Sequence, residues 1–135
     1  MTTLLEVRDL EKHFPVRGGL LRRVVAQVKA VDGVSFTLDV GRTLGLVGDS
    51  GCGKSTLGRS ILQLQRPTGG QVILEGQNLT TLGPDRLLAM RREMQIIFQD
   101  PFASLSPRRT VAQTIREPLD VHRIGTPVER NRRVE

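Results

Sequence analysis

The 135-residue chain reads as an α/β fold, and three features lead there. Its front alternates apolar and polar side chains, a continuously apolar run then enters a glycine-rich loop, and helix signals follow directly behind that loop. Leu5 and Val7 alternate with Glu6 and Arg8, the period of a half-buried strand. Pro15 and Gly18-Gly19 break that pattern as a turn would. Val24 to Val31 is apolar and rich in β-branched residues, Asp32-Gly33 is a hairpin signal, and Val34, Phe36, Leu38 and Val40 then alternate with Ser35, Thr37 and Asp39. Residues 1–41 are therefore expected to form an antiparallel β part with one wet face. Thr43-Leu44-Gly45-Leu46-Val47 is apolar without alternation, as in a strand buried on both faces.

A helix is expected from Lys54 to about Leu64, ended by Pro67 and Gly69-Gly70, with Val72-Ile73-Leu74 as the next strand. Pro84 to Glu93 reads as a short helix and Gln95-Ile96-Ile97-Phe98 as a strand. Thr110 with Gln113 makes a capping box, opening a helix that Pro118 should stop. Thr126 with Glu129 makes another, with Pro127 at the first helical position. This last helix runs to Glu135 with no stop signal, so the chain is expected to be cut inside an element.

Composition narrows the function classes. Hydrophobic residues make up 38% of the chain, low for a domain but enough for a core. The net charge of +6 suggests phosphate-bearing partners, yet the excess is spread along the chain and builds no binding stripe. Four Phe with no Tyr or Trp leave little for base stacking, so no nucleic-acid partner is expected. The single cysteine, Cys52, rules out an internal disulfide framework and fits a cytosolic protein. No apolar run reaches the roughly 18 residues that span a bilayer, and the charged start MTTLLEVRDLEKH is unlike a signal peptide, so the chain should stay where it is made.

Gly48-Asp49-Ser50-Gly51-Cys52-Gly53-Lys54-Ser55 fits the phosphate-loop pattern G-x-x-x-x-G-K-[ST] without a mismatch. Glycines allow backbone angles and close approach that a Cβ would block, so successive N–H groups can surround phosphate oxygens at a positive helix end. Lys54 can reach β- and γ-phosphates, and the Ser55 hydroxyl can ligate Mg²⁺. The D-x-x-G and N-K-x-D segments of a GTPase do not occur, and Ser55-Thr56 stands where a dinucleotide loop needs its third glycine. The fold class is thus that of a P-loop NTPase.

The segments HFPVRGGLLRR, AVDGVSFTL, GLVGDSGCGKSTLGRSIL, MQIIFQDPFASLSPRRTV and REPL carry something more specific. Together they resemble the ATP-binding subunits of ABC transporters, of the type that imports oligopeptides and dipeptides, over essentially the whole chain. The resemblance implies an ABC-type nucleotide-binding domain, with residues 42–100 running from phosphate loop to Q-loop and 101–135 beginning a helical subdomain. It implies ATP and Mg²⁺ bound by Gly48, Asp49, Ser50, Gly51, Cys52, Gly53, Lys54, Ser55 and Thr56. Phe14 would stack on adenine, where Tyr is commoner, and Gln99 of the Q-loop would meet Mg²⁺ and the attacking water and touch the membrane subunit. Partners implied are transmembrane permease subunits, a second ATP-binding subunit and, indirectly, a solute-binding protein, at the cytoplasmic face of the plasma membrane.

Without the resemblance, the residues keep plainer readings. Phe14 beside Pro15 covers a sheet edge, Gln99 is a turn residue, and Cys52 is a small residue that the loop tolerates. His13 and His122 stand far apart with no ligand spacing around them, and Arg108-Arg109 and Arg132-Arg133 are solvated helix-end charges. The family's LSGGQ-type signature, its apolar strand ending in Asp-Glu and its switch histidine do not occur in these 135 residues. The chain is therefore expected to be the N-terminal half of the domain, marginal in isolation, able to hold ATP without splitting it. The alternative is a non-catalytic ATP-binding fragment with no turnover; an unrelated P-loop kinase is argued against by the neighbourhood of Gln99.

Overall fold

A computed structural model describes residues 2–19, 23–98 and 105–135. The chain forms two compact units, Met1–Leu87 and Leu88–Glu135. In the first, β1 (Thr3–Gly18) and β2 (Arg23–Asp39) are long antiparallel strands, α1 (Lys54–Ile61) follows, and β3 (Gly69–Leu74) and β4 (Gln77–Asn78) complete one sheet. The strand order is β2-β1-β3-β4, antiparallel throughout. One face buries Val7, Leu10, Val31, Val72 and Leu74, and Leu57 of α1 is buried with them.

Asp32-Gly33, expected as a hairpin turn, is instead a bulge inside the continuous β2. Leu10 pairs with Val34 and Lys12 with Val31, so two residues of β2 oppose Glu11 alone. Gly33, the second of the two, takes φ 73°, a left-handed angle that glycine adopts without a Cβ penalty. A matching bulge lies in β1, where Arg8 and Asp9 oppose Ser35. Asp9 adopts φ 44° there, its N–H donates to the Ser35 hydroxyl at 2.7 Å, and that hydroxyl donates back to the Asp9 carboxylate at 3.0 Å. The extra residue lets Val7 and Leu10 both face inward although an odd spacing separates them. Pro15 likewise lies within β1, opposite Gln27. It is tolerated because pairing with β3 ends at Glu11, leaving β1 with one neighbour at that point.

Two further expectations fail for one reason. Residues 43–47 and 95–98 form no strand, and Val47 and Ile97 are 95% and 94% exposed. An apolar run buried on both faces needs a neighbour along each edge, and no described strand pairs with either segment. α1 also stops short of Leu64. Gln63 turns left-handed at φ 55°, and its N–H and that of Leu64 donate to the carbonyls of Ser60 and Arg59, closing the helix as a Schellman motif.

α2 (Pro84–Met90) is shorter than expected and buries Leu87. In the second unit, α3 (Val111–Val121) and α4 (Pro127–Val134) carry the two capping boxes, each with side-chain and backbone bonds in both directions. Pro118 does not stop α3. A proline within a helix removes one N–H and crowds the carbonyl four residues back, and the following turn is held from α4: Arg130 donates to Asp120, to the Ile124 carbonyl and to the Gly125 carbonyl at 2.9, 3.1 and 2.8 Å. Arg123, at φ 53°, then ends α3 as Gln63 ends α1. Among the described residues no helix is long and apolar enough to cross a membrane.

Gly70 has φ 79°, and a Cβ on it would lie 2.2 Å from the Asp9 carbonyl oxygen. Gly70→Ala should therefore destabilise the first unit by at least about 1–3 kcal/mol. Gly58→Ala, facing open space within α1, should stabilise by about 0.5–1 kcal/mol. Denaturant midpoints of the two variants should move in opposite directions.

The second unit should respond to acid. Hydrogen bonds from Arg130, and then Arg116, hold the Asp120 carboxyl below its ordinary 3.8, and the Thr126 N–H and hydroxyl hold Glu129 below 4.5. Carboxyls depressed in the folded state stabilise it above their ordinary values, and the contribution is lost as pH falls through the folded ones. Helical chemical shifts of α3 and α4 should thus decay below pH 4.5, and Asp120→Asn with Glu129→Gln should flatten that response.

Candidate functional site: the loop before α1

The sequence between β2 and α1 arrives at the helix through Gly51 and Gly53, both left-handed at φ 84° and 98°. Gly53 is the N-cap of α1 and supplies no side-chain cap, and no acidic residue stands in the first turn. The first N–H groups of the helix therefore keep their donor capacity, with the positive end of the helix dipole behind them. The loop closes on itself where the Cys52 N–H donates to the Asp49 carbonyl at 3.3 Å.

Two loop glycines lie close to other atoms, and Gly53 is required by its angle as well. A Cβ at Gly48 would lie 2.7 Å from the Cys52 Sγ, and one at Gly53 would lie 2.1 Å from the Ala30 carbonyl oxygen. The second contact sets the start of α1 directly on β2. Lys54, the first residue of α1, turns its side chain back over the loop, where the ammonium donates to the carbonyls of Gly48 and Asp49, each at 2.6 Å, and reaches the Cys52 Sγ at 3.5 Å. A cation is thus centred on a ring of small residues beside uncapped backbone donors. Such a cradle fits a polyphosphate, and the exposed Ser55 hydroxyl on the same first turn is a hard oxygen donor suited to Mg²⁺.

The structure brings Gly48 through Thr56 together at the loop and first turn, with Asp49, Ser50, Cys52 and Ser55 exposed and Lys54 and Thr56 half-buried. Phe14 stands on the neighbouring strand pair. Its ladder partner is Val28, two residues along β2 from Ala30, and it is 37% exposed. Gln99 lies outside the described residues. His13, at the same point of β1, contacts the Asp32 carboxylate at 3.0 Å, and Lys29 meets it at 3.2 Å. The Lys29 ammonium, followed by His13, holds the Asp32 carboxyl below its usual range. Nothing local in the sequence marks the Ala30 carbonyl as the seat of Gly53, because the contact joins distant segments. Lys12, whose ammonium lies 5.1 Å from the centre of the Phe14 ring, was readable only from its two-residue spacing to Phe14 on one strand.

The sequence pattern of the ABC transporter family matches residues 31–135, a span that takes in the loop and α1. The chain belongs to the ABC transporter family. This ABC chain is 52% identical over 134 residues to the oligopeptide transport ATP-binding protein AppF of Bacillus subtilis (strain 168), covering 98% of itself and 41% of that relative. It is 55% identical over 119 residues to the glutathione import ATP-binding protein GsiA of Escherichia coli (strain K12), covering 88% of itself and 19% of GsiA. It thus spans less than half the length of either relative. Among solved structures, the ABC chain is similar to the dimeric MJ0796 ABC transporter cassette at TM-score 0.74 and 25% identity, over 96% of this chain and 53% of that one. A post-hydrolysis state of that cassette bound to ADP and Pi gives 0.73, over 97% and 54%. The likeness therefore extends to a cassette whose bound ligands are the products of splitting a nucleotide.

Gly53→Ala should unseat α1 from β2, since both the left-handed angle and the Ala30 carbonyl oppose a methyl group. Amide hydrogen exchange should rise along 54–61 and stay unchanged along 111–121.

Proposed function

We propose that this chain is the ATP-binding component of an importer for peptides or peptide-like solutes, coupling ATP binding and hydrolysis to transport. The observation that carries the reading is the Lys54 ammonium, held at 2.6 Å by two loop carbonyls beside the uncapped start of α1. Polyphosphate would replace those carbonyls as the partner of the cation, with loop N–H groups donating to its oxygens. Ser55 would hold Mg²⁺, which neutralises phosphate charge where it is bound. Phe14 would stack on the adenine, and Gln99 would orient the attacking water next to the metal. Gly48 to Thr56 form the phosphate-binding set. The solute class rests on similarity to AppF and GsiA, whose names specify oligopeptides and glutathione. Work at the cytoplasmic face of the plasma membrane, with permease subunits, a second ATP-binding subunit and a solute-binding protein, belongs to the same reading.

Lys54→Ala should abolish Mg-ATP binding in calorimetry while the far-ultraviolet spectrum of the chain stays as it was, because the removed charge faces the loop and not the core. The exposed Cys52 thiol offers an independent gauge. Saturating ATP should slow its alkylation in the parent and leave the rate unchanged in Lys54→Ala. Equal ATP affinity in the two proteins would refute the assignment.

A further inference from the structure

β1 and β3 stop pairing at Glu11 opposite Gly69, and beyond that point β1 and β2 continue as a two-stranded ribbon. Phe14 sits on this ribbon, so β3 does not hold it. Three bonds immediately before it take over. The Thr68 N–H donates to the Glu11 carbonyl at 2.8 Å, the Lys12 ammonium donates to the Arg66 carbonyl at 2.7 Å, and the His13 N–H donates to the Thr68 hydroxyl at 3.1 Å. All three tie the ribbon to the segment that follows α1. The start of α1 is seated on the same ribbon through Gly53 and Ala30. The helix is thus fastened at both ends to the strands that carry Phe14, which fixes the span between the ring and the phosphate loop.

Of the side chains in these fastenings, Lys12 also touches the ring. Its ammonium lies over Phe14 at 5.1 Å from the centroid while bonded to Arg66. Lys12 and Phe14 are two apart on one strand and share a face, so the ammonium reaches the ring without a change in backbone. A cation on one ring face holds the ring's orientation and draws electron density from it, which favours an electron-rich purine against the remaining exposed surface. Phe14 lacks the hydroxyl that would let a tyrosine anchor itself by a hydrogen bond. The ring therefore depends on its neighbours for orientation.

We infer that Lys12 is a positioning residue for nucleobase recognition: bonded to Arg66 and lying over Phe14, it holds the orientation of the ring on the strands that also seat the start of α1. The inference rests on the nucleotide reading above and adds to it a residue that touches neither phosphate nor metal.

The test compares Mg-ATP with magnesium tripolyphosphate, which has the phosphates and no base, by calorimetry on the whole chain. Lys12→Met should weaken ATP binding by about two- to five-fold, the loss of one cation–ring contact, and leave tripolyphosphate affinity unchanged. Lys12→Arg, which keeps a cation over the ring, should restore ATP affinity. In a Phe14→Ala background, Lys12→Met should add nothing. Unchanged ATP affinity in Lys12→Met, an equal loss for both probes, or additive losses with Phe14→Ala would each overturn the inference alone. Failure of the parent to bind either probe would overturn the nucleotide reading, and the inference with it.

Discussion

The arrangement of the first unit depends on the absence of one methyl group. Gly53 brings the start of α1 so close to the Ala30 carbonyl that a Cβ there would lie at 2.1 Å, well inside van der Waals contact. Because the residue is also left-handed, the chain turns sharply from loop into helix at the same atom. Move that seat outward and the loop, the lysine that folds back over it and the aromatic residue on β1 all lose their common reference. The loop's chemistry is local, but its position relative to Phe14 comes from this contact.

The sheet that supplies the seat is shaped by paired irregularities. The bulges at Asp9 and Gly33 lie close together across β1 and β2, and Gly70 of β3 fits beneath the first because it has no side chain to meet the Asp9 carbonyl. Each bulge turns the strand's faces over, so apolar residues at odd spacings reach one core. The same corrections deliver Lys12 and Phe14 to the ribbon beyond the core. Packing and site geometry thus share a cause.

The helical hairpin of the second unit is held in another way. None of its helix residues is buried in α3 or α4, so the hydrophobic effect contributes little there. Its order comes from end chemistry: capping boxes at both helix starts, a left-handed Arg123 closing α3, and Arg130 reaching the chain between the helices. Exposed ion pairs such as Arg116 with Asp120 add only modestly. A unit built this way keeps its secondary structure by local bonds and draws its charge pattern from the residues that make them.

What the sequence determined by itself is what short-range chemistry decides. Thr110 with Gln113 and Thr126 with Glu129 announce helix starts because donor and acceptor lie three residues apart, and the structure forms both. The glycine-rich loop before α1 is legible for the same reason, since glycine, lysine and serine follow one another in one short pattern at a helix start. Tertiary structure decided the rest. Asp32-Gly33 suits a turn or a bulge equally well, and only the register with β1 selects the bulge. Pro118 carries a local stop signal that bonds from Arg130 outweigh. Residues 43–47 have the apolar pattern of a buried strand, yet a strand exists only where another backbone offers its N–H and C=O groups. The seat of Gly53 on Ala30 and the hold of Lys12 on Phe14 and Arg66 belong to the same class. Partners far apart in the chain leave no mark on each other's local sequence, so their meeting is settled only when the whole sheet and helix are in place.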